Sequence, residues 1–149
     1  MARNGRLTIG DLSRRTGTKV QTIRYYEQIG LLPEPERSSG NQRLYSPAHS
    51  DRLAFIRHGR ELGFPLDSIR ELLSLSDHPS QTCEAADAIA RTQLGLIETR
   101  IVRLQSLKRE LERMVVQCQG GKIADCRVIE VLADHSQCLS DSHETPATA

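Results

Sequence analysis

The stretch Cys83–Cys118, CEAADAIARTQLGLIETRIVRLQSLKRELERMVVQC, decides the reading of this chain. Its apolar positions recur at Ala90, Leu94, Ile97, Ile101 and Leu104, then at Leu107 or Lys108, Leu111, Val115 and Cys118. The spacing alternates four and three as far as Leu104, and Lys108 is the one interruption. A stripe this narrow on a helix this long is the pattern of a coiled-coil seam. A single helix packed on its own globular body is the alternative, but the sequence offers no evident body. Cys83 and Cys118 stand 35 positions apart (118 − 83). A continuous helix rises 1.5 Å per residue and would hold them roughly 50 Å apart. One chain therefore cannot join them. Two antiparallel copies can, because each Cys83 then lies beside the far end of its partner's helix.

Beyond Cys118 the helix is expected to break at Gly120-Gly121, and the segment CQGGKIADC returns a third cysteine, Cys126. Three converging thiols suit a soft cation, since thiolate is a soft, polarizable ligand. The C-terminus of a helix opposes negative charge, which a bound cation would offset. Asp125 adjoins the site. Other readings stay open on residue types alone. Cys118 could be a buried apolar residue, Cys118 and Cys126 could form a redox disulfide, and Cys83 could be incidental. Val128–Leu132 reads as a short apolar helix able to cover the loop. The polar segment from Asp134 to Ala149 reads as a mobile tail, with Cys138 a bystander or an extra thiolate that reaches back.

Composition narrows the class. The chain has 149 residues, four cysteines, no tryptophan and a net charge of +1. It has no apolar run long enough to span a bilayer, and MARNGRLTIG has no signal-peptide core. A cytoplasmic location without membrane partners is expected. There, cysteines are more often metal ligands or redox groups than structural disulfides. Residues 1–75 carry 12 Lys/Arg against 8 Asp/Glu, and residues 76–149 carry 8 against 11. A basic front on an acidic back fits a polyanion-binding head. An enzyme is not expected: no nucleophile–base–orienter set and no Gly-rich phosphate loop appear.

The front half reads as short helices. Thr8 and Asp11 form a capping-box-like start for a helix through Ile9 and Leu12. A second helix is expected from Lys19 to Ile29, with Gly30 as its closing glycine. Two helices joined by Thr16-Gly17-Thr18 make a helix-turn-helix candidate, and helix spacing alone leaves an ordinary αα-hairpin equally open. The second helix offers Lys19, Gln21, Thr22, Arg24 and Tyr25, types that phosphates and base edges require. Pro35–Tyr45 reads as a polar hairpin turning at Ser39-Gly40-Asn41, flanked by Arg37 and Arg43. Ser46-Pro47 starts another helix, with Leu53, Phe55, Ile56 and Leu62 as its apolar stripe. Gly63-Phe64-Pro65-Leu66 breaks it, a further helix runs from Asp67 to Leu75, and Asp77-His78-Pro79-Ser80 is a hinge-like linker.

In order, Thr8-Ile9-Gly10-Asp11-Leu12-Ser13, Val20-Gln21-Thr22-Ile23-Arg24-Tyr25-Tyr26-Glu27, Gly30-Leu31-Leu32 and Arg37-Ser38-Ser39-Gly40-Asn41-Gln42-Arg43-Leu44-Tyr45 resemble the MerR family of bacterial transcription regulators. The resemblance continues through Gly63-Phe64 and the long helix to Cys126. It implies a mainly α fold: a winged helix-turn-helix head, a long dimerisation helix in an antiparallel coiled coil, and a C-terminal metal-binding loop. It also implies a homodimer on double-stranded promoter DNA, with an over-long spacer that is twisted into shape for RNA polymerase when the effector binds. The DNA-binding residues it points to are Thr18, Lys19, Val20, Arg24 and Tyr25 on the recognition helix, and Arg37, Arg43 and Tyr45 on the wing.

The family's metal-responsive members carry a cysteine pair across a short loop after the dimerisation helix, matching Cys118 and Cys126. Members that resemble sensors of divalent ions also have a cysteine at the position of Cys83, donated from the partner subunit, where copper(I) sensors usually have serine. The seven residues between Cys118 and Cys126 also occur in copper-type members. Gln119 replaces a second loop cysteine frequent in zinc-type members. The expected effector is a divalent soft metal ion, lead, cadmium, zinc or mercury; a copper(I) or thiol-redox regulator of the same fold is the alternative. His78, Asp125 or water could be a fourth ligand. The expected organisation is a DNA-binding domain with connector helices over 1–76, a linker and dimerisation helix over 77–117, a metal-binding loop and short helix over 118–134, and a flexible tail over 135–149.

Overall fold

Thr8 begins the first helix as the sequence dictates: its side chain accepts the Asp11 N–H, and the Asp11 carboxylate takes the Thr8 N–H in return. Those hydrogen bonds, led by the Thr8 hydroxyl, hold the Asp11 carboxyl below its usual pKa. The helix, α1 (Ile9–Thr16), ends at Gly17, whose φ of +66° is a left-handed cap open to glycine. A Cβ there would stand 2.6 Å from the Arg57 guanidinium and displace that flexible side chain, so the left-handed φ is what calls for glycine in this turn. The computed structural model describes residues 5–118 and 120–139. Gln119 and the last ten positions of the expected tail lie outside the described residues.

The remaining elements are α2 (Val20–Gln28), β1 (Glu36–Arg37), β2 (Arg43–Leu44), α3 (Pro47–Glu61), α4 (Leu66–Ser76), α5 (Glu84–Gln117) and α6 (Arg127–Ala133), with 3-10 turns at Ile123–Asp125 and His135–Gln137. Strands β1 and β2 pair antiparallel, Glu36 with Leu44 and Arg37 with Arg43, and Asn41 turns the hairpin at φ +62°. Ser46 caps α3 in a reciprocal box with His49. The His49 Nδ1 accepts the Ser46 N–H, so its proton sits on Nε2, which donates to the Pro33 carbonyl at 3.1 Å.

The chain divides into two compact units, Met1–Ala90 and Arg91–Ala149. The first encloses Leu12, Ile23, Leu31, Leu32, Tyr45, Leu53, Ile56, Ile69 and Leu73. Each fully buried aliphatic side chain contributes about 1.5–3 kcal/mol, so this head rests mainly on its leucines and isoleucines, with Tyr45 the one fully buried aromatic among the described residues. Two expectations change here. Phe55 and Leu62 do not join the α3 core face and stay 39% and 55% exposed. They are seven residues apart and so share a second face, away from Leu53 and Ile56. The expected hinge at Asp77–Ser80 is a braced turn: Arg52 Nη1 holds both Asp77 carboxylate oxygens at 3.1 and 3.2 Å, and the Gln81 N–H closes onto the His78 carbonyl.

In the second unit the α5 stripe is exposed: Leu94, Ile101, Leu104, Leu111 and Val115 each show about half or more of their surface. Met114, Val131 and Glu110 are buried where α6 folds back. The segment after it is tied down further than expected. The Leu139 N–H donates to the Glu110 carboxylate at 2.7 Å, and Arg113 bridges Glu110 and the Gln137 carbonyl. Residues 135–139 thus belong to the packed unit.

Candidate nucleic-acid interface and thiol site

Helix α2 carries the first candidate surface. Lys19, Arg24 and Tyr25 are exposed on it, and Thr18 and Val20 are half-buried at its start. The wing is stiffened by its own side chains: Arg37 Nη1 donates to the Asn41 carbonyl and side-chain oxygens at 3.2 and 3.1 Å. Arg43 is half-exposed, its Nε 3.4 Å from Glu27 Oε2. Tyr45 differs from the other candidates. It is fully enclosed, and its hydroxyl donates to Glu27 Oε1 at 2.5 Å. Burial, then the Glu27 carboxylate, push that hydroxyl well above the ordinary tyrosine pKa, so it remains a donor.

Sequence reading missed Glu27 as a joint between recognition helix and wing. Its carboxylate takes Tyr45 on one oxygen and Arg43 on the other, which fixes the hairpin against α2. Two further cations were missed. Arg57 and Arg60 of α3 border an open cleft of about 580 Å3 with Thr18 and Lys19. Arg57 also donates to the Thr16 carbonyl at 2.9 Å, bracing the turn before α2. Their spacing of three on a helix within the basic half was the available signal.

The second candidate site lies at the end of α5. Cys118 is exposed and continues the helix through its N–H to the Met114 carbonyl. Gly120 and Gly121, at φ +75° and +109°, reverse the chain. Cys126 then starts α6, its carbonyl accepting the Glu130 N–H at 3.0 Å. The Cys126 thiol lies near the backbone N–H groups of Ile129 and Val128 and near the Cys118 thiol. These contacts hold the Cys126 thiol below its usual pKa against partial desolvation. The reversal at Gly120-Gly121 thus returns Cys126 towards Cys118. Cys83 is exposed just before α5, in the first unit, and Cys138 is half-buried after α6. Among the described residues, no three His, Cys, Asp or Glu side chains of one chain converge to hold a metal ion.

A lowered thiol pKa has a direct consequence. Thiolate is the nucleophile, so Cys126 exposes it at lower pH than an ordinary cysteine does. In a pH series of iodoacetamide labelling on the metal-free, reduced protein, Cys126 is expected to react at lower pH than a free-cysteine standard. An alkylation midpoint at or above the standard's would remove the N–H and thiol contacts as the cause.

Residues 7–76 match the model described as MerR HTH family regulatory protein, and residues 50–114 the one described as MerR, DNA binding. The HTH-type transcriptional regulator ZntR of Escherichia coli (strain K12) is 40% identical over 127 residues, spanning 83% of this chain and 90% of ZntR. The chain belongs to the MerR family. Among solved MerR-family structures, the transcription regulator PbrR691 from Ralstonia metallidurans CH34, in complex with lead(II), aligns with a TM-score of 0.74. It is 39% identical, covering 85% of this chain and 98% of PbrR691. The dual-function regulator MerR from Bacillus megaterium MB1, in complex with mercury(II), aligns at 0.63 and 32% identity over 86% of this chain and all of that one (100%). The mainly α winged helix-turn-helix fold with its long helix is thereby this chain's fold. Among the described residues, no helix is long and apolar enough to cross a membrane.

Proposed function

We propose that this MerR-family protein is a cytoplasmic, homodimeric regulator that binds promoter DNA and activates a metal-resistance or efflux gene when a divalent soft metal binds. The observation that carries this reading is the reversal at Gly120-Gly121, which returns Cys126 towards Cys118 at the end of α5, and the Cys126 thiol there is held below its usual pKa. A pair of thiols of which Cys126 is acidified fits a soft cation, which binds as protons leave. Relatives named for complexes with lead(II) and mercury(II) support the class of ion. In this reading Cys118, Cys126 and Cys83 of the partner subunit are the ligands. Residues 1–76 form the DNA-binding head, 77–117 the linker and dimerisation helix, and 118–134 the metal loop with its short helix, against which residues 135–139 pack.

A soft divalent cation, when bound, would supply a bridge between thiolates of the two subunits. The protein's part is to make that bridge matter to DNA. Cys118 and Cys126 sit at one end of α5, and Cys83 sits between the braced Asp77–Gln81 turn and the start of α5. Arg52 ties that turn to α3, and α3 carries the cations facing the start of α2. A shift at Cys83 is thus passed to the head through packed helices. Distorting DNA costs several kcal/mol and needs contacts that differ between the two states. Footprinting on the promoter tests this: both metal-free and loaded protein should occupy the site, and only the loaded form should distort the spacer for RNA polymerase. Release from DNA on loading would overturn it.

Arg24 and Tyr25 are the base and backbone contacts of α2, with Thr18, Lys19 and Val20 at its start. Arg37 and Arg43 hold phosphates from the wing, and Tyr45 sets the wing's position through Glu27. Removing one phosphate contact weakens binding across all sequences and lowers the salt slope by about 1. Arg43→Ala is expected to do this; unchanged affinity and slope would cancel the wing assignment. The paired Cys118 and Cys126 also favour a second reading, a copper(I) or thiol-redox regulator needing only those two thiols. A Cys83→Ser protein that responds fully to lead, cadmium and zinc would select it.

A further inference from the structure

His78 and Cys83 line one cleft of about 310 Å3 on the first unit, walled by Phe55, Leu72 and Leu75. They are the two residues of metal-ligating type in its lining, and the backbone carbonyl of each is hydrogen-bonded. The His78 carbonyl accepts the Gln81 N–H at 3.0 Å, and the Cys83 carbonyl accepts the Asp87 N–H at 2.8 Å to begin α5. The His78 ring is also oriented: Nδ1 lies 2.8 Å from the Ser74 carbonyl oxygen. A carbonyl only accepts, so Nδ1 carries the proton and Nε2 carries the lone pair. Among the described residues, no other hydrogen bond engages this ring. Imidazoles that bind metal are held in this way, one nitrogen donating to a carbonyl while the other ligates.

We infer that His78 is a nitrogen ligand beside Cys83, and that this pair completes a four-ligand site with Cys118 and Cys126 of the partner subunit. The inference rests on the cross-subunit metal reading proposed above. Its chemistry is specific. Three thiolates leave one position of a tetrahedral zinc ion open. A neutral imidazole fills it without adding negative charge to a site that already carries three thiolates. Imidazole suits zinc, whereas the softest ions are satisfied by sulfur. His78 thereby biases selection towards zinc-like ions and away from those content with thiolates alone.

The test uses the full-length dimer and His78→Gln, since glutamine removes the imidazole while the turn is still closed by the backbone bond from the Gln81 N–H to the carbonyl of residue 78. With cadmium-113 as probe, the wild-type protein should show a magnetic-resonance correlation between the metal and imidazole protons that is absent in His78→Gln. Zinc affinity, measured by chelator competition, should fall about a hundredfold, while lead affinity stays at the wild-type value. Stoichiometric cadmium without an imidazole correlation would overturn the role of His78 and leave the thiolate site standing. An equal loss of zinc and lead in His78→Gln would also overturn it, by marking a structural role. Wild-type protein that takes up no cadmium, or Cys83→Ser that binds it undiminished, would overturn the underlying cross-subunit reading.

Discussion

Mixing Cys83→Ser protein with the double variant Cys118→Ser/Cys126→Ser is expected to restore one metal site per heterodimer, while either homodimer binds poorly. The reason is geometric. Helix α5 runs unbroken for 34 residues, from Glu84 to Gln117, about 50 Å at 1.5 Å per residue. Cys83 precedes its first residue and Cys118 follows its last. A site using both draws them from different chains of an antiparallel pair. In the heterodimer, one site loses Cys83 and its loop pair together, and the other keeps Cys83 from one chain and the loop from the other. Thiolate sites for zinc-like ions are worth about 10–16 kcal/mol in total. One ligand lost therefore costs on the order of 3 kcal/mol, about a hundredfold in affinity. Equilibrium dialysis of the mixture should recover tight binding of one ion per dimer. No recovery would mean that Cys83 does not act across the subunits.

The parts of this structure that were legible in the sequence are those whose partners are close along the chain. Thr8 with Asp11 and Ser46 with Pro47 declare helix starts because a cap acts over three residues. The break after Cys118 was legible for the same reason, since Gly120 and Gly121 take the positive φ that a short reversal needs. Tyr45 was not. Its place beside Arg43 reads as surface, but its hydroxyl is taken by Glu27, 18 positions away. The Arg52–Asp77 clasp spans 25 positions and turns an expected hinge into a fixed turn. The Leu139–Glu110 bond spans 29 and holds down the start of an expected tail. Periodicity reports which face of a helix is apolar, but not which distant polar group will meet it. The same limit misplaced Phe55 and Leu62, because α3 has two apolar faces and the sequence does not rank them. Cys126 was recognised as a thiol of interest, yet its acidity depends on the N–H groups of Val128 and Ile129, and so on where α6 begins.

Leu104→Glu/Leu111→Glu is expected to turn the dimer into a monomer and to abolish tight metal binding with it. The two leucines lie seven residues apart on one face of α5 and are 64% and 59% exposed in the single chain. Large exposed apolar stripes mark surfaces that a partner covers. Burying a leucine is worth about 1.5–3 kcal/mol, and an antiparallel two-fold pair presents each substitution twice. Each is already about 40% covered in the single chain, so four leucines lost remove about 4–7 kcal/mol, on the order of 10³–10⁵ in dimer affinity, before the cost of burying four carboxylates is counted. The head should stay folded, since Leu12, Ile23, Leu53 and Ile56 are enclosed within the first unit. Promoter binding should nonetheless weaken sharply, because two linked heads bind DNA far better than two separate ones. Val102→Glu supplies the control: Val102 is 65% exposed on α5 but falls outside the stripe, so its variant should remain dimeric. Light scattering after size exclusion reads all three proteins. A double variant that stays dimeric and keeps its metal would show that the Leu94–Val115 stripe is not the seam, and the trans placement of Cys83 would fall with it.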